Sequence, residues 1–278
     1  MSNIATRELG LRIITGAIGA ALLIAVLYAG GWVFGLSVLA LGLFAQHEVY
    51  GLVERRGVRP YVMVGLLIGA LLATRPFLPD AMLLAVVLVA ALLAWCPFSR
   101  TEQPLLSLGA TMLGAVYPTA LLVFLTDLRL ARGPHIGEEE AFALTLAVLV
   151  LVWATDILAY FVGSRFGQRL LAPAISPKKT WEGAVGGALA SLLVGVILKL
   201  TLLSFVAWPH VLVLALLCGT VSQLGDLAES RFKRAVGAKD SGAILPGHGG
   251  VLDRFDGVLL VAPLAYLYLA YVARIVSA

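Results

Sequence analysis

Long apolar stretches alternate with short polar connections along the whole chain. Nine stand out, at about 11–29, 32–50, 60–74, 81–96, 105–125, 141–163, 183–204, 208–225 and 257–273. Most approach the ~20 apolar residues that a helix needs to cross a bilayer. The pattern predicts an all-α polytopic membrane protein with about nine transmembrane helices. The third and fourth stretches are short enough to require tilting or thin coverage. The first follows Arg7 and Arg12 but lacks a convincing small-x-small cleavage pattern, so it is expected to be retained as a span. No internal repeat and no separate soluble domain is visible.

Composition agrees with this pattern. Of 278 residues, 60% are hydrophobic and only 13% charged, about half the charged share of a soluble domain. The net charge of +4 is therefore read as topology and local chemistry and not as nucleic-acid affinity. Cys96 and Cys218 lie in or beside apolar runs without metal-ligand spacing, as expected of small buried residues.

Charge in the connections gives an orientation. With the N-terminus in the cytoplasm, the inner side holds Arg7, Arg12, Arg55, Arg56, Arg59, Arg100, Arg165, Arg169, Lys178, Lys179, Arg231, Lys233, Arg234, Lys239 and Arg254. These are fifteen of the 20 basic residues. Arg75, Arg129, Arg132, Lys199 and Arg274 fall outside. The positive-inside rule then places the C-terminus on the outer side and both late polar loops, 164–182 and 226–256, in the cytoplasm. The triplet Glu138–Glu140 is expected as a solvated outer loop edge. Frequent glycine in the early spans (Gly16, Gly19, Gly65, Gly69, Gly109, Gly114) is expected to serve close helix packing.

Against this apolar background, acidic residues within or beside the spans are informative, because charge at mid-bilayer is costly and usually faces a protein-lined cavity. Asp156, Glu182 and Asp226 are such residues. Asp156 shares a helical face with Tyr160 and Gly163 by steps of four and three. It is open to a site-lining role or to a plain interhelical bond. Ser176–Gly183 (SPKKTWEG) marks a turn in which Thr180 would cap the next helix, with Glu182 in its first turn. Lys178 and Lys179 beside that helix start suit phosphate oxygens, although membrane-edge lysines also serve topology.

The densest polar stretch runs from Asp226 to Asp256. Glu229 and Ser230 fall on the helical face of Asp226. A basic run follows, Arg231, Lys233, Arg234 and Lys239. After the glycine-rich turn around His248, carboxylates return at Asp253 and Asp256. Glycines let such a loop fold back on itself, bringing the two sets of carboxylates together. Carboxylates ringed by Lys and Arg point to a hard divalent cation with a polyphosphate, Mg²⁺ above all. The four scattered histidines lack zinc spacing, and neither GxxxxGK[ST] nor GxGxxG occurs. His248 is open to donating to phosphate or to ordering the loop. Asp256 could cap the last span, whereas Asp253 has no equally simple structural explanation.

Ser230-x-x-Lys233-Arg234, then Lys239-Asp240, Gly242, Pro246, His248-Gly249-Gly250 and Asp253-Arg254-x-Asp256 together resemble the signature of the phosphatidate cytidylyltransferases, or CDP-diacylglycerol synthases. Ser176–Gly183 and the Asp156-x-x-x-Tyr160-x-x-Gly163 context are also similar to family segments. The resemblance covers roughly 150–257. It implies transfer of CMP from CTP to phosphatidate with release of pyrophosphate, in the inner membrane of a bacterium, by a Mg²⁺-requiring homodimer; a second cation is compatible with it. It implies a catalytic set of Asp226, Lys239, Asp240, His248, Asp253 and Asp256, with metal on Asp226 and Asp253. Phosphates would be held by Lys178, Lys179, Ser230, Lys233, Arg234, Lys239 and Arg254, in a cavity lined by Asp156, Glu182 and Glu229. Residues 1–140 would then supply packing, lipid access or dimer contacts, and 141–278 the catalytic region. Two rivals are a CTP-dependent polyprenol or lipid kinase and, from another class, a secondary transporter of an anionic metabolite. The first would release CDP in place of pyrophosphate. The second would be expected to show repeats and broken helices.

Overall fold

The computed structural model describes residues 16, 18–99, 101–242, 244 and 249–277. Their helices are α1 (Ile18–Ala29), α2 (Gly31–Glu54), α3 (Val62–Thr74), α4 (Asp80–Trp95), α5 (Pro104–Gly114), α6 (Phe124–Leu130), α7 (Glu138–Phe166), α8 (Trp181–Thr201), α9 (Trp208–Ala235) and α10 (Leu252–Leu267). Pro118 lies in a wide π-helical turn, Ala115–Ala120, that joins α5 towards α6. Its missing N–H cannot serve an α-helical ladder, and a local widening absorbs the defect. A second such turn, Tyr268–Val272, extends α10.

The described parts of the expected apolar stretches fall largely on helices, and residues 11–15 and 17 of the first lie outside the described residues. Among the described residues, seven helical segments are long and apolar enough to cross a membrane, while Ile18–Ala29 and Val62–Thr74 are shorter. The protein is an all-α polytopic membrane protein, with one small hairpin among the described residues. In it β1 (Leu170–Ala172) pairs antiparallel with β2 (Ser176–Thr180), Leu170 opposite Thr180 and Ala172 opposite Ser176. The segment expected as a turn before α8 is thus largely strand.

Two boundaries differ from the hydropathy reading. Helix α9 has 28 residues, about 42 Å at the α-helical rise, so it outruns a hydrocarbon layer of about 30 Å. Asp226–Ala235 are therefore helix and not loop, and α10 already begins at Leu252. The connection between them spans only 236–251. Glu138–Glu140 likewise form the first turn of α7, where Glu140 accepts the Gly137 N–H at 2.9 Å. Negative charge there complements the helix dipole.

One apolar core runs from Leu27 to Val276, with Leu144, Val148 and Leu151 of α7, Leu214 and Cys218 of α9, and Leu259 and Ala262 of α10 fully enclosed. Cys218 is buried as expected, and Cys96 is partly so. Helix α8 meets α7 through small residues. A Cβ on Gly183 would lie 2.7 Å from the Ala159 carbonyl and 3.0 Å from the Gly163 Cα. Gly225 of α9 and Gly257 of α10 meet the same way, with 3.1 Å between an added Cβ and the opposing Cα. In the early helices, Gly65, Gly69 and Gly114 abut the side chains of Tyr50 and Gln46, whereas Gly19 and Gly109 have nothing within 4 Å.

Gly183→Val is expected to force α7 and α8 apart and to lower stability by about 1–3 kcal/mol, the usual cost of overpacking a tight contact. Gly109→Ala, at an open position, should leave unfolding unchanged or slightly delayed. Thermal unfolding of both variants in detergent distinguishes the two outcomes.

Candidate active site

The polar residues gather at the end of the bundle where α7 finishes, the hairpin turns, α8 starts, α9 finishes and α10 starts. Thr180 caps α8 as its sequence predicts, its hydroxyl accepting the Gly183 N–H at 3.2 Å. The cap fixes the exit of β2 and so the position of Lys179. Glu182 accepts the backbone N–H groups of Gln168 (3.0 Å) and Arg169 (3.2 Å), tying the end of α7 to the start of α8. The Gly225–Gly257 contact brings α9 and α10 together one residue from Asp226 and Asp256.

Two charge groups result. In the first, Lys179 Nζ is 2.5 Å from Asp226 Oδ2, and the Ser230 hydroxyl donates to Asp226 Oδ1 at 3.2 Å. Asp156 on α7 and Asp256 on α10 lie within electrostatic reach of both Asp226 and Lys179. Asp226 thus pairs with the ammonium, and the other two carboxylates act on it at longer range. In the second group, the Lys233 ammonium is held between Glu229 Oε2 and Asp253 Oδ1, each at 2.6 Å. The Glu229 side chain is 0% exposed, so the paired lysine is what makes its burial tolerable. Asp253 also accepts the N–H groups of Gly250 (2.8 Å) and Ser241 (3.0 Å).

The expected residues are therefore sorted in an unexpected way. Asp226 and Asp253 belong to different charge groups and have different basic partners. Among the described residues, no group of three or more His, Cys, Asp or Glu side chains is arranged to hold a metal ion. Lys233, expected at phosphate, is paired here with two carboxylates. Arg234 bonds to backbone carbonyls, Ile175 O at 3.3 Å and Ala238 O at 3.0 Å, which fastens the hairpin to the end of α9. Asp253, for which sequence offered no structural role, orders the turn into α10. Asp256 sits one turn inside that helix and does not cap it; its Oδ1 accepts the Gly257 N–H at 2.7 Å. Lys178, Lys239, Asp240 and Arg254 are exposed around the same end of the bundle. His248 lies outside the described residues.

Two residues of the N-terminal half escaped sequence reasoning. Glu48 of α2 is buried against the segment that opens α10. Its presence in an otherwise apolar span was the same signal that singled out Asp156. Tyr117, on the π-helical turn, has a buried hydroxyl without a hydrogen-bond partner among the described residues. It lies within electrostatic reach of Glu229, Asp256 and Asp226. Its ring packs edge-on to Phe232, 5.4 Å between centroids.

A separate open groove of about 1090 Å³ lies between α7 and α8, walled by Leu158, Val162, Val185 and Leu189, with Arg169 and Glu182 at its polar edge. Asp156, Asp226 and Asp256 are not among its lining residues. Glu182 is the one expected site residue that borders it.

The chain matches the cytidylyltransferase family over residues 10–272. A phosphatidate cytidylyltransferase of Brucella abortus (biovar 1, strain 9-941) is 38% identical over 278 residues, covering 99% of this chain and 96% of its own length. Its counterpart from Synechocystis sp. is 33% identical, covering 96% and 98%. That of Bacillus subtilis is also 33% identical, covering 93% and 97%.

Removing the shared ammonium tests the second charge group. Lys233→Met should leave Glu229 and Asp253 buried without their counter-ion, costing about 3–5 kcal/mol of folding stability. Adding Glu229→Gln to that variant should recover part of the loss. Denaturant unfolding in detergent checks both; a loss under about 1 kcal/mol would mean that the pair behaves as a solvent-screened one.

Proposed function

The chain belongs to the cytidylyltransferase family, and from that premise we propose that it transfers CMP from CTP to phosphatidate. The products are pyrophosphate and CDP-diacylglycerol, which stays in the membrane for phospholipid biosynthesis. The observation that carries the reading onto these residues is the meeting of Lys179, Asp226, Asp156 and Asp256 where four transmembrane helices converge. In the reaction, a phosphate oxygen of phosphatidate bonds to the α-phosphorus of CTP as the bond to the departing pyrophosphate breaks. The attacking oxygen already carries negative charge, so no base need remove a proton from it. The enzyme's work is to bring two polyanions together and to offset the charge that collects on the α-phosphate and the leaving group.

In our assignment, the exposed Lys178, Lys239 and Arg254 take the phosphates, and Lys179 moves between Asp226 and substrate oxygen. Lys233, Ser230 and Asp253 hold the frame. Mg²⁺ fits the chemistry of the first charge group, where three carboxylates exceed their single ammonium. Mg²⁺ ordinarily takes only one or two protein carboxylates and completes its shell with water and phosphate oxygens. Asp226 with Asp256 or Asp156 is the donor set we assign to it in place of Asp226 with Asp253, and the third carboxylate leaves space for a second cation. Bound there, Mg²⁺ would neutralise developing phosphate charge.

We further assign nine spans, a cytoplasmic N-terminus, an outer C-terminus and residence in a bacterial inner membrane. Support comes from the fifteen of 20 basic residues that fall on one side. The site then faces the compartment that supplies CTP, and the apolar groove beside α8 gives acyl chains a sideways path. A homodimer is part of the same reading.

Incubation of the purified protein with CTP labelled at the α-phosphorus and phosphatidate is expected to move label into the lipid phase with release of pyrophosphate, and only when Mg²⁺ is supplied. Labelled CDP left in water would mean γ-phosphoryl transfer and would overturn the reading. Asp226→Asn should lower turnover by at least about 100-fold, the scale on which loss of one preorganised electrostatic contact acts. A reporter fused to the C-terminus should be active only outside the cytoplasm; cytoplasmic activity would reverse the orientation.

A further inference from the structure

Glu48 belongs to the half of the chain that carries no part of the family-like motif, yet it reaches the segment that opens α10. Its side chain is 5% exposed. A carboxylate enclosed this well inside an apolar helix is costly unless its lone pairs are filled, and here two backbone N–H groups and one hydroxyl fill them. Val251 N–H donates to Oε1 at 2.9 Å; Leu252 N–H (2.8 Å) and the Ser241 hydroxyl (3.0 Å) donate to Oε2. Val251 and Leu252 begin α10, so their N–H groups belong to the unsatisfied donors of a helix start, where negative charge is also favoured by the dipole. The fit is close on both sides. A Cβ added at Gly242 would come 2.6 Å from Oε1, and one at Gly250 would come 2.5 Å from Oε2.

Ser241 is gripped twice. Its hydroxyl goes to Glu48, and its N–H goes to Asp253 at 3.0 Å. Asp253 takes the Gly250 N–H as well, at 2.8 Å. The two ends of the connection from α9 to α10 are thus pinned to each other by one carboxylate from α2 and one from α10. Beyond these pins lie Lys239 and Asp240 on one side and Arg254 on the other. The end of α2 is also fastened to α9, because the Arg56 guanidinium donates to the Ala235 carbonyl.

We propose that Glu48 is a positioning residue for the transfer reaction, fixing Ser241 and Gly250–Leu252 so that Lys239 and Arg254 meet the nucleotide phosphates together. The assignment rests on the cytidylyl-transfer reading above and extends it to the N-terminal half. Glu48 touches neither Lys239 nor Arg254 itself; because it holds Ser241 and Val251–Leu252 beside them, its effect is expected on the nucleotide that those two side chains are assigned to meet. A carboxylate is required because all three partners are donors. A glutamine amide would turn an N–H towards one of them, and an aspartate would stop one methylene short.

The test uses Glu48→Gln, Glu48→Asp and Ser241→Ala in the full-length protein, with two readouts. Hydrogen exchange in detergent should accelerate at least about ten-fold in peptides carrying Val251 and Leu252 while the apolar parts of α7 and α9 keep their protection. Steady-state kinetics should show KM for CTP raised about 10–100-fold, the range seen when a supporting contact behind a site is lost, with KM for phosphatidate within about two-fold. Ser241→Ala should shift both readouts in the same direction by less. Unaltered exchange at Val251 and Leu252 in all three variants would overturn the clamp. So would exchange that quickens throughout the protein, or a KM for CTP that does not move. Failure of the unaltered chain to make labelled lipid would overturn the reaction reading instead, and exchange would still decide the clamp.

Discussion

A lysine ammonium shared by two buried carboxylates joins α9 to α10, and the arrangement of the polar end depends on it. Lys233 lies 2.6 Å from both Glu229 and Asp253, with the first carboxylate on its own helix and the second at the start of the next. Without the lysine, two negative groups would face each other inside the bundle. With it, α10 must begin where Asp253 can reach both Lys233 and the backbone of Ser241 and Gly250. That register carries Asp256 to the height of Asp226 and lets Gly257 meet Gly225. The Lys233 group thus holds two carboxylates to one ammonium, and the neighbouring group, Asp156, Asp226, Asp256 and Lys179, holds three to one.

The surrounding helices contribute mainly by coming close. α8 presents Gly183, Gly187, Ala190, Ser191 and Gly195 to its neighbours and leaves Leu189, Leu193 and Leu200 exposed. Bulk at these positions would carry Lys179 away from Asp226, since the cap at Thr180 couples the hairpin to the start of α8. Packing and chemistry are therefore linked through backbone distance, as expected where helix association in lipid relies on small residues.

Much of this was legible in the sequence because membranes make charge conspicuous. Asp156 and Asp226 were found by their cost in an apolar span, and Thr180 by its place before a helix with acid in the first turn. The division of labour was less legible. Hydropathy marks where the apolar layer ends, not where the helix ends, so α9 appeared to stop at 225 when its Glu229–Lys233 step continues it to Ala235. The donors that Asp253 accepts from, Ser241 and Gly250, were not legible, because they are backbone groups whose approach no pattern records. The ion pairs of Lys233 were not legible because its two carboxylates are four and twenty residues away. Glu48 was hidden by the averaging that identifies a span, and its partners are about 200 positions distant.

The unbroken run of α9 from Trp208 to Ala235 has a mechanical meaning. A stiff rod gripped by hydrocarbon along its apolar length behaves as a depth gauge, and Asp226 is a mark near its wet end. Lipid phosphates float at a height set by bilayer thickness, whereas that mark is set by the protein. Where membrane thickness and rod differ, tilt must make up the difference, and the carboxylates then swing relative to the headgroup plane. The thickness of the host membrane thus bears on where these carboxylates stand relative to the lipid phosphates.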